Sequence, residues 1–304
     1  MRIGIGSAAT NRQGNVIDEL VQLAREAHEA GLDFWMSQMT DIDSLTALAV
    51  IGREVPDLAL GTAVVPTYPR HPLMLAGQAL TVQAASANNL TLGIGLSHQI
   101  VIEGVFGQSF DKPVRHMREY LEVLMAALHT GKVDFQGDVY RVATFAPMKA
   151  AGAEPPAVLV AALGTQMLKL AGRLADGTVL WMVGPKTIES HIVPTIAAAA
   201  KEADRPAPRV TVGLPVCLTD NIEAARERAG RTFSLYNDLP SYRAMLDKES
   251  VEGPADVAII GDEATIRAGV ARLGDVGATD LNLAVFGNAE ERSRTTGLLA
   301  DLAR

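Results

Sequence analysis

Short apolar runs alternate along the chain with stretches in which apolar residues recur every three or four positions. RIGIG at 2–6 reads as a strand closed by Gly6 and Ser7. Val16, Leu20, Leu23, Ala24 and Ala27 share one helical face in the stretch to residue 30, with Asn15 as its cap and Gly31 as its stop. DFWMS (33–37) is a second strand, Asp43 or Ser44 caps a helix that stops before Pro56, and LALGTAVV (58–65) is a third strand. Pro72 stands where a first-turn proline belongs, and LMLAGQALTVQAAS (73–86) follows as helix. NLTLGIG (89–95) is strand four. After Asp111, Met117, Tyr120, Leu121, Leu124, Met125 and Leu128 recur at helical spacing up to Gly131. Residues 132–156 break the rhythm with a hairpin turning at Gly137–Asp138. The alternation resumes with strands at 156–162, 178–183, 209–219 and 280–286. Helices are predicted after Thr165 as cap with Gly177 as stop, over 186–203, from near Asn221, over 262–278 from Asp262, and at the end of the chain, with a second irregular region at about 233–256.

Eight strands, each followed by a helix, require right-handed helical crossovers between parallel neighbours. Such units most economically close into a (β/α)8 TIM barrel, here one domain over 1–304 with insertions after the fourth helix and before the last helix–strand unit. A doubly wound open sheet is the second choice. It calls for a phosphate-binding turn after the first strand, and GIGSAATNRQGN is a poor one.

Composition narrows the function. With 48% hydrophobic and 20% charged residues the chain can bury a large core. A formal charge of −8 with no Lys/Arg block, and only 5% aromatics, argue against a nucleic-acid partner. No apolar run reaches membrane-spanning length, and MRIGIGSAAT lacks a secretory h-region. One cysteine, Cys217, makes neither an intrachain disulfide nor a cysteine metal site and reads as a core residue. A cytoplasmic protein is expected.

In a barrel, chemistry sits on the loops after the strands. These read SAATNRQ, SQMTD, VPTYPRH, LSHQIVIE, LGTQ, GPK, LTD and FGN. They hold no His-x-His and no His-Glu-x-x-His, so no protein-held metal is expected. Lys186 is the one Schiff-base candidate, and Gly95-Leu96-Ser97-His98-Gln99 begins like a nucleophile elbow without its closing glycine. A cofactor-free lyase or hydrolase would use Lys186 or His98. Small residues and backbone amides otherwise dominate, a profile suited to a bound cofactor that carries the reaction.

Several ordered blocks sharpen this. GTAVVPTYPRHPLMLAGQALTVQAAS, NLTLGIGLSH, FDKPVRHMREYLEVL, VLVAALGTQMLKLAGRLADGTVLWMVGP and VAIIGDEATIRAGVARLGDVGATDLNLAVF together resemble the bacterial luciferase-like superfamily. The likeness is strongest to its branch dependent on the deazaflavin F420, known from actinobacteria. It implies a non-proline cis peptide at Ala63–Val64 backing one face of the cofactor ring. It places Gln38 at the ring's polar edge, Gly95, Leu96 and Ser97 against the ring or ribityl chain, and Ala162, Leu163, Gly164, Thr165 and Gln166 at the phosphate end. Val183, Gly184 and Lys186, with Arg70, would face anionic substrate or tail groups. Some F420 dehydrogenases carry a His after strand two and a Glu after strand four; here those places read Ser37-Gln38 and Ser97-His98.

The resemblance therefore implies an oxidoreductase moving hydride between C5 of F420 and a small organic molecule. His98 is the foremost proton-transfer candidate, Gln38 sits beside the ring, and Glu103 is a further acid/base candidate. An FMN-dependent monooxygenase and a non-catalytic flavin-binding relative are the alternatives. Phe106, Phe110, Tyr236 and Tyr242 would line an apolar pocket, and the helices containing LTALAVIG and LMLAGQAL would form a homodimer.

Overall fold

The structure is a computed structural model in which residues 1–7, 14–38 and 40–304 are described; of the strand-end loops read above, 8–13 and 39 lie outside them. In chain order the first half runs β1 (Arg2–Gly6), α1 (Val16–Glu29), β2 (Asp33–Met36), α2 (Ser44–Glu54), β3 (Leu60–Thr62), β4 (Val65–Pro66), α3 (Pro72–Ala85), β5 (Leu90–Gly95), α4 (Gln99–Gly104) and α5 (Pro113–Thr130). A hairpin of β6 (Asp134–Gln136) and β7 (Arg141–Ala143) follows. The second half runs β8 (Ala157–Val160), α6 (Thr165–Leu174), β9 (Gly177–Trp181), α7 (Pro185–Thr187), a π-helical turn (Ile188–Ile192), α8 (Val193–Glu202), β10 (Arg209–Gly213), β11 (Pro215–Leu218) and α9 (Ile222–Thr232). It ends with α10 (Leu235–Asp238), α11 (Pro240–Glu249), α12 (Pro254–Val257), β12 (Ile259–Gly261), α13 (Glu263–Asp275), β13 (Asp280–Val285) and α14 (Ala289–Ala303).

Strands β1, β2, β3, β5, β8, β9, β10 and β13 pair in that order, and β13 returns to β1, so the described residues form a closed eight-stranded parallel TIM barrel. Arg2 lies opposite Asp280 and Ile5 opposite Leu283 across the closure. The capping residues act where the sequence places them. Asn15 accepts from the Ile17 amide, Asp43 from Thr46 and Asp262 from Thr265. Pro72 opens α3 behind His71, whose Nδ1 accepts from Leu73.

Four local expectations are corrected. The helix expected to reach Gly177 stops at Leu174, because Gly177 already belongs to β9, where a Cβ would stand 2.1 Å from the Arg209 carbonyl oxygen. Gly164, not Thr165, is the N-cap of α6. The region at 233–256 is not irregular but carries α10, α11 and α12. Helix α4 and strand β12, the latter paired with β11 outside the closed ring, were not expected at all.

Inward and outward positions alternate along each strand. At the N-terminal end Arg209 makes a two-pronged bond to Asp280 (2.8 and 3.2 Å) and reaches Thr91 across the lumen at 3.1 Å. In the middle one large side chain, Trp35, fills the barrel, packed with Leu159 and Val179. The strands beside it are glycine at that level: a Cβ at Gly61 would lie 2.3 Å from the indole and one at Gly4 2.7 Å.

Candidate active site at the barrel mouth

The third barrel strand is interrupted between β3 and β4, and the Ala63–Val64 peptide there is cis. The interruption is held from both sides. The Ala63 amide donates to the Met36 carbonyl (2.9 Å), and the Ser37 hydroxyl donates to the Ala63 carbonyl (2.8 Å). Beyond it the Thr67 amide donates to the Gly95 carbonyl (2.9 Å). Val64 thereby stands on β5: a Cβ on Gly95 would come within 2.8 Å of its Cγ2 and 3.1 Å of the Ala161 Cβ. Ala63, Val64 and Ala161 are half-buried and pack on the Trp35 cluster, giving the mouth an apolar floor.

An aromatic wall rises on one side of this floor. Trp181, at the end of β9, meets Phe233 and Tyr236 edge-on at 6.0 Å each; Tyr236 meets Tyr242 at 4.8 Å, and Tyr242 meets His98 at 5.9 Å. The segment at 233–249 therefore lies against strand ends far from it in sequence. Burial holds the Tyr242 phenol above its ordinary range and lowers the affinity of His98 for a proton, so a neutral imidazole faces the mouth at pH 7. Ser97, between Leu96 and His98, has φ +62°, the left-handed region, and turns the chain sharply out of β5.

The sequence-derived residues divide between this mouth and structural duties elsewhere. Ala63, Val64, Gly95, Leu96, Ser97 and His98 come together at the floor and its rim. Ala162 is buried at the end of β8, while Leu163 leads to Gly164, Thr165 and Gln166 at the start of α6. That helix has no side-chain cap, which leaves its first amides available to an anion. The Leu163 carbonyl is bonded to His191 Nε2 at 2.9 Å.

Gln38 is spent on its own loop. Its Oε1 accepts from the Ser44 amide (2.9 Å) and hydroxyl (2.8 Å), and its Nε2 donates to the Ile42 carbonyl (3.2 Å). Arg70 pairs with Asp43 and bonds Gln78 (3.0 Å) and Gln38 (3.3 Å), so its charge is neutralised at the base of α2. Glu103 lies on the solvent side of α4, bonded by Gln99. The helix start at Gly184 is occupied by Glu249, whose carboxylate accepts from the amides of Lys186 (3.1 Å) and Thr187 (2.7 Å). Val183 is buried, and the Lys186 ammonium donates to Ser250 Oγ (2.7 Å). Sequence spacing revealed these charges but not the partners that neutralise them.

Three site elements were missed by sequence reading: Trp181, Phe233 and the Glu249 contact. Trp181 had a legible signal, an aromatic at a strand's C-terminal end. Of the expected pocket aromatics, Tyr236 and Tyr242 join the wall. Phe110 instead stacks on Tyr68 (5.2 Å), and Phe106 is exposed on the segment after α4. Among the described residues no group of three or more His, Cys, Asp or Glu could hold a metal, and no helix is long and apolar enough to cross a membrane.

The exit loop of β4 rests on a second aromatic cluster. His116 on α5 is buried, stacks flat on Tyr68 (3.9 Å, 5°) and shares a hydrogen bond with the Thr67 hydroxyl through Nε2 (3.0 Å). Tyr120 and Tyr140 close the cluster. Nearby Glu119 is also buried; burial raises its pKa, but amides of Val139, Tyr140 and Asp138 outweigh that and hold the carboxylate ionised. Burial, opposed by Glu119, lowers the His116 pKa from its ordinary 6.5 to about 4. Between those values the unfolded chain binds a proton that the folded chain refuses, so stability falls as pH drops from 6.5 toward 4. The loss attributable to this residue is about 3 kcal/mol. Urea unfolding of the native chain and of His116→Gln across that window should show a shallower pH slope in the variant; equal slopes would refute the assignment.

Comparisons with known proteins bear on the fold and the family. The 5,10-methylenetetrahydromethanopterin reductase of Methanolobus tindarius is 27% identical over 213 residues, 69% of this chain and 64% of that one. The coenzyme F420 dependent tetrahydromethanopterin reductase from Methanopyrus kandleri superposes with a TM-score of 0.80 at 18% identity, covering 99% of this chain and 98% of that one. The oxygenating constituent of 3,6-diketocamphane monooxygenase from Pseudomonas putida, solved with FMN, does so at 0.77 and 14% identity, covering 99% and 97%. Both superpositions speak to the fold. The model of one family, described as luciferase-like monooxygenase, matches residues 1–280, nearly the whole barrel, and the chain belongs to that family.

Proposed function

We propose that this chain is an oxidoreductase that moves hydride between C5 of the deazaflavin F420 and a small organic substrate. The observation that carries the reading is the floor of Ala63, Val64 and Ala161 over Gly95. It is apolar and half-buried, and it would back one face of a planar heterocycle. The uncapped start of α6 offers amides to an anionic tail, and the name of the Methanopyrus kandleri reductase supports the choice of cofactor.

When bound, the deazaflavin supplies hydride exchange at its C5, chemistry that no side chain here offers. The protein's own part is placement. Val64 bars approach from below, so substrate is confined to the side facing the aromatic wall. Trp181, Tyr236 and Tyr242 exclude water and favour an apolar substrate body. His98, neutral at pH 7, acts as base in the direction that reduces the cofactor, taking up the substrate's hydroxyl proton at an imidazole nitrogen as the hydride leaves.

Titration of the purified chain with F420 and, separately, with FMN tests this directly, followed by each cofactor's own fluorescence. Saturation by F420 at micromolar concentration is expected. Micromolar binding of FMN with none of F420 would replace the reading by that of a flavin monooxygenase.

A further inference from the structure

We infer that His116, on α5, is a positioning residue for the floor of the mouth, acting through Thr67 and Tyr68 of the loop that follows β4. What the floor holds rests on the reading above; that His116 holds the floor in place does not. Thr67 and His116 are 0% and 4% exposed, and their side chains share a hydrogen bond of 3.0 Å. The next residue, Tyr68, lies flat on the same imidazole, with ring centres 3.9 Å and planes 5° apart.

The loop has few holds of its own. Pro66 and Pro69 have no amide hydrogen to give. Strand β4 is two residues long and sets Val65 opposite Ile94 and Pro66 opposite Gly95. The other bonds converge on Thr67. Its amide donates to the Gly95 carbonyl (2.9 Å), and its carbonyl accepts from the Arg70 amide (3.2 Å). Its hydroxyl is the group that meets His116, and this bond ties the loop to the outer layer of helices.

That layer is a firm anchor. Met117, Tyr120, Leu121 and Leu124 surround His116 in sequence on α5 and are fully buried, so the imidazole cannot drift without disturbing the core. Val64 stands three residues before Thr67, with buried Val65 and Pro66 between them. A shift at Thr67 is passed along this short, stiff segment to the residue that bears on Gly95. A hydrogen bond is directional, so it fixes the place of Thr67, and the flat stack limits rotation of the loop at Tyr68.

Cofactor titration of folded variants separates positioning from stability alone. His116→Phe retains a flat ring and loses the bond. His116→Gln can keep the bond and loses the ring. Thr67→Val removes the hydroxyl at nearly constant shape. His116→Phe and Thr67→Val are each expected to weaken, by about tenfold, binding of whichever of F420 and FMN the native chain takes, while His116→Gln stays within about threefold of native. Native-like binding in His116→Phe and Thr67→Val, in protein shown by circular dichroism to be folded, would leave His116 a structural role only and overturn the inference. Equal weakening by the Gln and Phe exchanges would overturn it too. Thr67→Val carries the test if His116→Phe does not fold. A native chain that binds neither cofactor refutes the proposed function and not this inference, which crystals of the native chain and of Thr67→Val then decide. A displacement of Val64 by about 0.5 Å or more is expected, the tolerance within which a site must be held. Superposition of the two floors would overturn the inference.

Discussion

Gly95→Val is expected to weaken F420 binding or turnover on the order of 100-fold, the scale set by misplacing a reacting group by about 1 Å. At Gly95 even a Cβ would sit 2.8 Å from Val64 Cγ2 and 3.1 Å from the Ala161 Cβ. The two extra methyls of valine leave Val64 nowhere to go except upward, into the space assigned to the ring. Ala161 cannot yield, since the Ala161 amide is bonded to the Ile94 carbonyl across β5 and β8 at 2.8 Å. Stability should fall by the ordinary cost of overpacking, about 1–3 kcal/mol, so the variant can still be assayed folded. A Kd for F420 within a factor of a few of the native value, in protein shown by circular dichroism to be folded, would mean that Val64 does not form the floor.

The largest loss of stability is expected one turn of the pleat below. In Gly93→Ala the new methyl would stand 2.0 Å from the Thr62 carbonyl oxygen, which is backbone and cannot swing aside. Thr62 also ties the same two strands by its hydroxyl, which donates to the Gly93 carbonyl and accepts from its amide, both at 2.8 Å. Adding one carbon therefore forces β3 from β5 and breaks both bonds. The cost should be about 3 kcal/mol or more. Gly77→Ala is the control: it lies in α3, nothing would approach its Cβ within 4 Å, and the exchange should be neutral or stabilising. Urea midpoints for the three proteins measure both effects. A Gly93→Ala midpoint equal to that of Gly77→Ala would show that the strands give way freely.

The barrel was legible because its strands are buried on both faces and its helices on one, so each element writes its own period into the chain. Asn15, Asp43, Pro72 and Asp262 mark helix starts by local chemistry and were read correctly for that reason. Helices α10 and α11 escaped because the first buries no residue and the second has an apolar stripe only one turn long. Tyr236 of α10 packs on Trp181, and α11 shows only a single turn of apolar spacing, Tyr242, Met245 and Leu246, with Tyr242 against His98 more than fifty positions away. Arg70 and Lys186 show the same limit from the electrostatic side. A lone cation in a strand-end loop looks available to an anion until Asp43, Gln38 and Ser250 are seen around it. Trp35 read only as a strand residue, since its place in the lumen depends on the register of β1 and β3, each with glycine at its level.

The chain has two tryptophans, and both stand inside the cylinder, one as its plug and the other in the wall of its mouth. They form a pair of lamps directly beneath and beside the proposed ligand seat. Any coloured guest lodged there drains their ultraviolet glow by short-range energy transfer, so occupancy can be followed optically in unlabelled protein.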